Sequence, residues 1–234
     1  MKNKVAYITG GTKGIGFGIA QEMLKNGIRV AISGRNLKDA EEAASRLSDA
    51  ENVFAVESDV RDAESEIKAV SGIIEQFGQL DYVIANAGLG IFKAVDELSA
   101  QEWNQMIDTN LTGVFHTMKA SLPELKKSEG YFISIASLAG TNFFENGSGY
   151  NASKFGLVGF TQAAMIDLRK YGIKVSTIMP GSVSTYFNGN EPSEKDAWKI
   201  QPEDIGELVI DLIKMNPRTL PSKIEVRPSR PKSS

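Results

Sequence analysis

Between Val5 and Ala20 the chain reads VAYITGGTKGIGFGIA: a short apolar run, a glycine-rich turn and the opening of an amphipathic helix. A run of β-branched and aromatic residues reads as a strand buried on both faces, as in the middle of a parallel sheet. Gly10, Gly14 and Gly16 then interrupt it. Where a Cβ would hold the backbone away from a pyrophosphate, glycine removes the obstacle, and the free N–H groups at the helix start favour an anion. The ligand implied for the turn, with Gly10, Thr12, Lys13, Gly14, Ile15 and Gly16 as contacts, is a dinucleotide. A glycine turn between strand and helix also serves simple chain reversal, so the rest of the chain has to decide.

With 234 residues and 41% hydrophobic content the chain can bury one large core, and a single domain over 1–234 is expected. A formal charge of -3 with scattered Lys and Arg offers no field for nucleic acid. There is no cysteine and His116 is the one histidine, which excludes disulfides and a Cys/His zinc site, so no metal is expected. Redox chemistry must then come from an organic cofactor. The N-terminal MKNKVAYITG holds too few apolar residues for a signal-peptide core or membrane span, and a soluble, cytoplasmic protein is expected.

Strand and helix signals alternate along the chain. Gly27 reads as a helix stop, Arg29 to Ser33 as a second strand, and Asn36 as the cap of a helix reaching about Leu47. The end of that second strand sets the coenzyme, because an acid there accepts from the ribose 2′-OH of NAD and an arginine accommodates the 2′-phosphate of NADP. This chain has Ser33, Gly34, Arg35 and Asn36, with no acid before Asp39 and Lys13 nearby in the turn, which favours NADP over NAD. The strand Val53 to Val56 leads to Asp59 and Val60. A helix Ala63 to Phe77 stops at Gly78, and the strand Leu80 to Ala85 ends in Asn86-Ala87-Gly88, small enough to sit close to a cofactor. Ser99-x-x-Glu102 is a capping box for one long helix carrying Trp103, Met106, Ile107, Leu111, Val114, Phe115, Met118 and Leu122, a stripe for core or subunit contact. Asn110 lies among them and needs a partner if buried, while His116 reads as packed or interfacial. Strands Tyr131 to Ala136, Lys174 to Met179 and Ile224 to Val226, with helices holding Tyr150 to Lys170 and opening at Pro202, complete the order; the tail RPSRPKSS looks irregular. This is α/β, a Rossmann-type doubly wound parallel sheet of about seven strands with helices on both faces.

Ser137, Tyr150 and Lys154 carry the chemistry, within ISIASLAG and GYNASKFG. Tyr150 and Lys154 stand four apart on a helix and share a face. A phenol with a pKa of about 10 becomes a usable acid or base if an ammonium a few Å away stabilises its anion. Ser137 ends a strand, where open α/β sheets bind ligands, and its hydroxyl can hold a carbonyl oxygen. Tyr-x-x-x-Lys also recurs as a solvated pair.

The motifs T-G-x-x-x-G-x-G (Thr9 to Gly16), Asn86-Ala87-Gly88, Asn110, Ser137, Tyr150/Lys154 and Pro180-Gly181-x-Val183-x-Thr185 occur in the order and at the spacings of the short-chain dehydrogenase/reductase family, and the chain resembles that family over roughly 4 to 230. The resemblance implies Tyr150 as general acid/base and Lys154 as the residue that binds the nicotinamide ribose and lowers the tyrosine pKa. Ser137 would orient the substrate, and Asn110 would hold a water in a proton relay. It places Asp59 and Val60 at the adenine edge and Pro180, Gly181, Val183 and Thr185 at the nicotinamide carboxamide. The expected activity is hydride transfer between NADP(H) and a ketone, aldehyde or secondary alcohol, in a homodimer or homotetramer built through the central helices. A 3-oxoacyl-[acyl-carrier-protein] reductase is the alternative, although Lys195 and Lys199 among Glu191, Glu194 and Asp196 make no basic patch; a non-catalytic NADP sensor is a third reading. The chain departs from the family in a short substrate lid at about 186–200 and in an ending EVRPSRP without V-D-G-G. Phe143, Phe144, Tyr186, Phe187 and Trp198 are either an apolar substrate wall or plain packing.

Overall fold

The computed structural model describes residues 1–47 and 51–230; the last four residues of the RPSRPKSS tail lie outside them. Seven strands, β1 (Val5–Ile8), β2 (Arg29–Gly34), β3 (Val53–Glu57), β4 (Tyr82–Ala85), β5 (Tyr131–Ile135), β6 (Lys174–Pro180) and β7 (Lys223–Val226), form one sheet in the order β3-β2-β1-β4-β5-β6-β7. Every pairing is parallel. Because β1 is flanked by β2 on one side and β4 on the other, the winding reverses there and a crevice opens beyond the strand ends.

Helices cover both faces, as a sheet buried on both sides requires. Against one face lie α1 (Gly14–Lys25), α2 (Leu37–Arg46) and α7 (Pro202–Lys214), through Ile19, Met23, Ala43, Ile205 and Val209. Against the other lie α3 (Ala63–Phe77), α5 (Gly113–Ser128) and α6 (Ser148–Leu168), through Ile73, Val114, Met118 and Leu157. The local stops are those the residues dictate. Asn36 accepts from Lys38 and Asp39 N–H, Gly78 adopts a left-handed φ of 78°, and Ser99 and Glu102 close a capping box.

The expected single helix after Ser99 is instead broken. α4 (Ala100–Ile107) gives way to a π-helical turn over Asp108–Thr112 before α5 begins. The wider turn inserts an extra residue, and it turns Asn110 inward to bonds that an uninterrupted helix surface would not offer. Asn110 is fully buried, accepting from Leu89 N–H at 2.9 Å and donating to Leu89 C=O at 2.8 Å and Ser153 Oγ at 3.0 Å. Periodicity alone cannot see such an insertion. His116 is packed as expected, its Nδ1 3.0 Å from Val60 C=O. Among the described residues no helix is long and apolar enough to cross a membrane, and no group of three His, Cys, Asp or Glu could hold a metal.

Candidate active site

A cleft of about 850 Å³ runs along the C-terminal ends of β1, β2, β4, β5 and β6. Its first end is made of backbone. Gly10 and Gly14 hold φ of 63° and 58°; among the described residues the position before α1, Lys13, makes no side-chain cap, and the helix start at Gly14 and Ile15 lines the cleft. A Cβ on Gly16 would lie 2.5 Å from Asn86 Nδ2 and 2.6 Å from Gly10 C=O. Asn86 fixes this approach from the other strand, donating to Thr9 and Gly10 C=O at 2.9 and 3.0 Å.

Thr12, Lys13, Ile15, Arg35, Asp59, Val60, Ala87, Gly88, Pro180, Gly181, Val183 and Thr185 all line this cleft, which gathers the expected cofactor contacts into one surface. Uncapped helix N–H groups, glycine-lined backbone and an exposed arginine beyond β2 fit a phosphorylated dinucleotide. Asp59 is not free: Arg61 Nε donates to both its oxygens at 2.9 and 3.1 Å. That bond, and more weakly Arg35, hold the Asp59 carboxyl below its usual range. Arg61 is therefore a cleft residue the sequence reading passed over, though it follows Asp59-Val60 directly. Lys13 Nζ lies 5.8 Å from the Tyr186 ring centroid, linking the glycine turn to the segment after Thr185.

At the other end Ser137, Tyr150 and Lys154 converge. Ser137 follows β5, its Oγ accepting from Ala139 N–H at 3.1 Å, and its side chain lies near enough to Tyr150 to act on that phenol. Lys154 is buried, donates to Ile135 C=O at 3.1 Å and stands 5.8 Å from the Tyr150 ring centroid. A Cβ on Gly88 would come within 3.1 Å of Asn110 Oδ1 and 3.7 Å of Lys154 Nζ, so a side chain there would press on Asn110.

The expected lowering of the tyrosine pKa is not what the geometry gives. Burial pushes Tyr150 up to about 12, against a smaller opposite effect of the Ser137 side chain, and pulls Lys154 down to about 8. Burial is the largest cause for both groups, since each charged form loses its water. At neutral pH the phenol therefore holds its proton.

Of the five aromatics singled out in the sequence, Phe144, Tyr186 and Phe187 line the cleft, whereas Phe143 and Trp198 do not. Phe143 is 82% exposed and stacks on Phe155 at 5.2 Å, and Trp198 lies beside Lys199. Phe92, which nothing in the sequence pattern marks, is in the cleft wall. The segment after Thr185 is a closed excursion with two short 3₁₀ turns, pinned at its base where Ser184 and Ile200 N–H donate to Ile200 and Ser182 C=O.

A family model described as short chain dehydrogenase matches residues 4–196. An uncharacterized oxidoreductase of Staphylococcus saprophyticus is 33% identical, over 97% of this chain and 98% of its own length. Among solved structures, an alcohol dehydrogenase of the archaeon Thermococcus sibiricus, complexed with 5-hydroxy-NADP, superposes with a TM-score of 0.91 at 33% identity, covering 98% of this chain and 99% of that one. A 3-ketoacyl-(acyl-carrier-protein) reductase of Brucella melitensis, complexed with NADH, gives 0.89 at 25% identity, with 98% of each chain covered.

Proposed function

The chain belongs to the short-chain dehydrogenase/reductase family, and from that premise we propose that it is an NADP(H)-dependent oxidoreductase that reduces ketones or aldehydes, with Tyr150 as the proton donor. The observation that carries the reading is the convergence of Ser137, Tyr150 and Lys154 at one end of a cleft whose other end is an uncapped helix start. The Thermococcus neighbour's NADP derivative supports the choice of coenzyme, as does Arg35 beside Gly34, where an NAD enzyme would place an acid.

When bound, the dinucleotide supplies the hydride that the carbonyl carbon accepts. The chain's own residues do the rest. Ser137 Oγ and Tyr150 Oη hold the carbonyl oxygen, and as negative charge develops on that oxygen the phenol releases its proton to it. A phenol held up to about 12 keeps its proton available across the neutral range, the state a reductase needs. Lys154, with one N–H fixed by Ile135 C=O, has two left to direct at ribose hydroxyls. As the phenol loses its proton, the ammonium 5.8 Å from its ring stabilises the anion. Asn110 locks Leu89, and with it the strand end beside Lys154, into place.

The Brucella neighbour keeps the acyl-carrier-protein reductase as a second reading. Against it, Lys199 at the cleft mouth is paired with Asp196 at 2.7 Å and presents no basic patch to an acidic carrier. Exposed Trp103, Phe115 and Ile166 on α4, α5 and α6 support assembly of copies through the central helices. The test of function is NADPH oxidation across diketones, aldehydes, aryl ketones, sugars and acetoacetyl thioesters. Turnover of free ketones or aldehydes supports the reading; turnover of thioesters alone selects the rival.

A further inference from the structure

Three aromatic rings from separate parts of the chain meet at the Tyr150 phenol. Phe92 packs edge-to-face on Tyr150 with centroids 5.3 Å apart and on Phe144 at 5.5 Å, and lies 6.4 Å from Phe187. Phe187 in turn lies 5.8 Å from Tyr150. Two glycines make the space for these rings. A Cβ on Gly90 would stand 2.7 Å from Phe187 Cζ and 3.1 Å from Phe92 Cζ, and one on Gly147 would stand 2.8 Å from the Phe144 ring. Asn151 holds the Phe144 loop from beneath, donating to Ala139 and Asn142 C=O at 2.6 and 2.7 Å.

The charges near these rings are already engaged. At this end of the cleft, among the described residues, Lys199 is already paired with Asp196, Lys154 is buried against Ile135 C=O, and no carboxylate lines the wall. A substrate carboxylate would be desolvated there opposite only the buried Lys154 ammonium, which already donates to Ile135 C=O, and that is costly, whereas a neutral planar ring can make offset and edge-on contacts with its neighbours.

We propose that Phe92, Phe144 and Phe187 form an aromatic cage that selects uncharged carbonyl compounds bearing an aryl group next to the C=O, with Phe92 as the specificity-determining residue. The proposal rests on the carbonyl-reductase reading for its chemistry, but binding can be measured apart from turnover. Phe92, Phe144 and Phe187 all stand within 6.4 Å of the Tyr150 ring, centroid to centroid, and line the same cleft, so they are the surface nearest a group attached to a carbonyl carbon held at Tyr150, and Phe92 touches two of the others edge-on. Phe144 is also the partition to a second, apolar cavity of about 540 Å³ that reaches Val95 and Phe155. Truncating it should widen the cleft towards that cavity.

The test uses acetophenone, 2-butanone and pyruvate with NADPH, in the wild type, Phe92→Ala, Phe92→Leu and Phe144→Ala. The wild type should prefer acetophenone to both others by kcat/KM. Phe92→Ala should cut acetophenone kcat/KM about tenfold and 2-butanone by less than about threefold, with Phe92→Leu between. Phe144→Ala should admit 4-acetylbiphenyl better than the wild type does. In parallel, ligand-observed NMR measures acetophenone and pyruvate binding to the NADPH-saturated protein. Equal or better turnover or binding of pyruvate, or an acetophenone preference unchanged in Phe92→Ala with an unshifted melting temperature, overturns the cage. Phe92-dependent acetophenone binding without turnover of any carbonyl leaves the cage standing and overturns the reductase reading.

Discussion

At the nucleotide end of the cleft the wall is backbone and charge: glycines at 10, 14 and 16, a helix start without a side-chain cap, Arg35, and Asp59 held by Arg61. At the Tyr150 end it is side-chain surface, rings brought together from the loop after β4, the loop before α6, α6 itself and the segment after β6. The first end comes from stretches continuous in sequence and recognises something every copy of the fold can share. The second is assembled by tertiary packing alone, so it can differ from chain to chain without disturbing the first.

The largest effect separating the two ends should come at the residue where they meet. Tyr150→Phe keeps the ring in the aromatic cluster and removes the transferable proton, so kcat should fall by at least about a hundredfold while NADPH affinity, measured by fluorescence titration, stays within about twofold. Near-normal turnover would remove the phenol from the chemistry. At the nucleotide end, Arg35→Ala should weaken NADPH about ten- to a hundredfold and leave NADH nearly untouched, since a guanidinium–phosphate bond of about 1.5–3 kcal/mol is lost. Converting preference fully with Gly34→Asp has a steric condition: a Cβ there would lie 2.8 Å from the Thr12 methyl, so Thr12→Ser has to accompany it. If wild-type NADH and NADPH kinetics are equal, Arg35 has no role in selection.

The strands, caps and glycine turn were legible in the sequence because each is a local event: Asn36, Gly78 and the Ser99/Glu102 box act within one turn of chain, and the structure has them doing so. The π turn at Asp108–Thr112 was hidden because Met106 before it and Val114 and Met118 after it are all buried at helix-like spacing, although Met106 packs with Tyr150 and the other two with the sheet. Phe92 was hidden for another reason. It sits in an irregular segment with no periodicity to mark it, and only the fold brings it to Tyr150. Likewise Phe143 and Phe144 are neighbours in sequence, yet one stacks on Phe155 outside the cleft and the other faces into it. The pKa expectation failed because spacing on a helix gives proximity but not the desolvation that decides the sign.

Lys154 gives a smaller effect that follows from that desolvation. Its folded value, about 8, lies below the ordinary 10.5, so burial of the ammonium opposes folding below pH 8 and the penalty fades as pH rises from 8 towards 10.5. Lys154→Met should therefore raise the melting temperature at pH 7, by an increment that shrinks by pH 10; an increment that grows with pH would contradict the burial. Smallest of all, Phe143→Ala should change kcat/KM for any carbonyl less than about twofold, whereas a change as large as that of Phe144→Ala would return Phe143 to the substrate wall.

The most direct measurement follows deuterium from NADPH labelled at nicotinamide C4 into the product of acetophenone reduction, by mass spectrometry, in the wild type and in Tyr150→Phe. Label on the carbinol carbon in the wild type, at a rate at least about a hundredfold above that of Tyr150→Phe, is the result predicted. NADPH bound tightly by both proteins, with no label passed to acetophenone or to any other ketone or aldehyde of the panel, would contradict it and leave a nucleotide-binding protein without this chemistry.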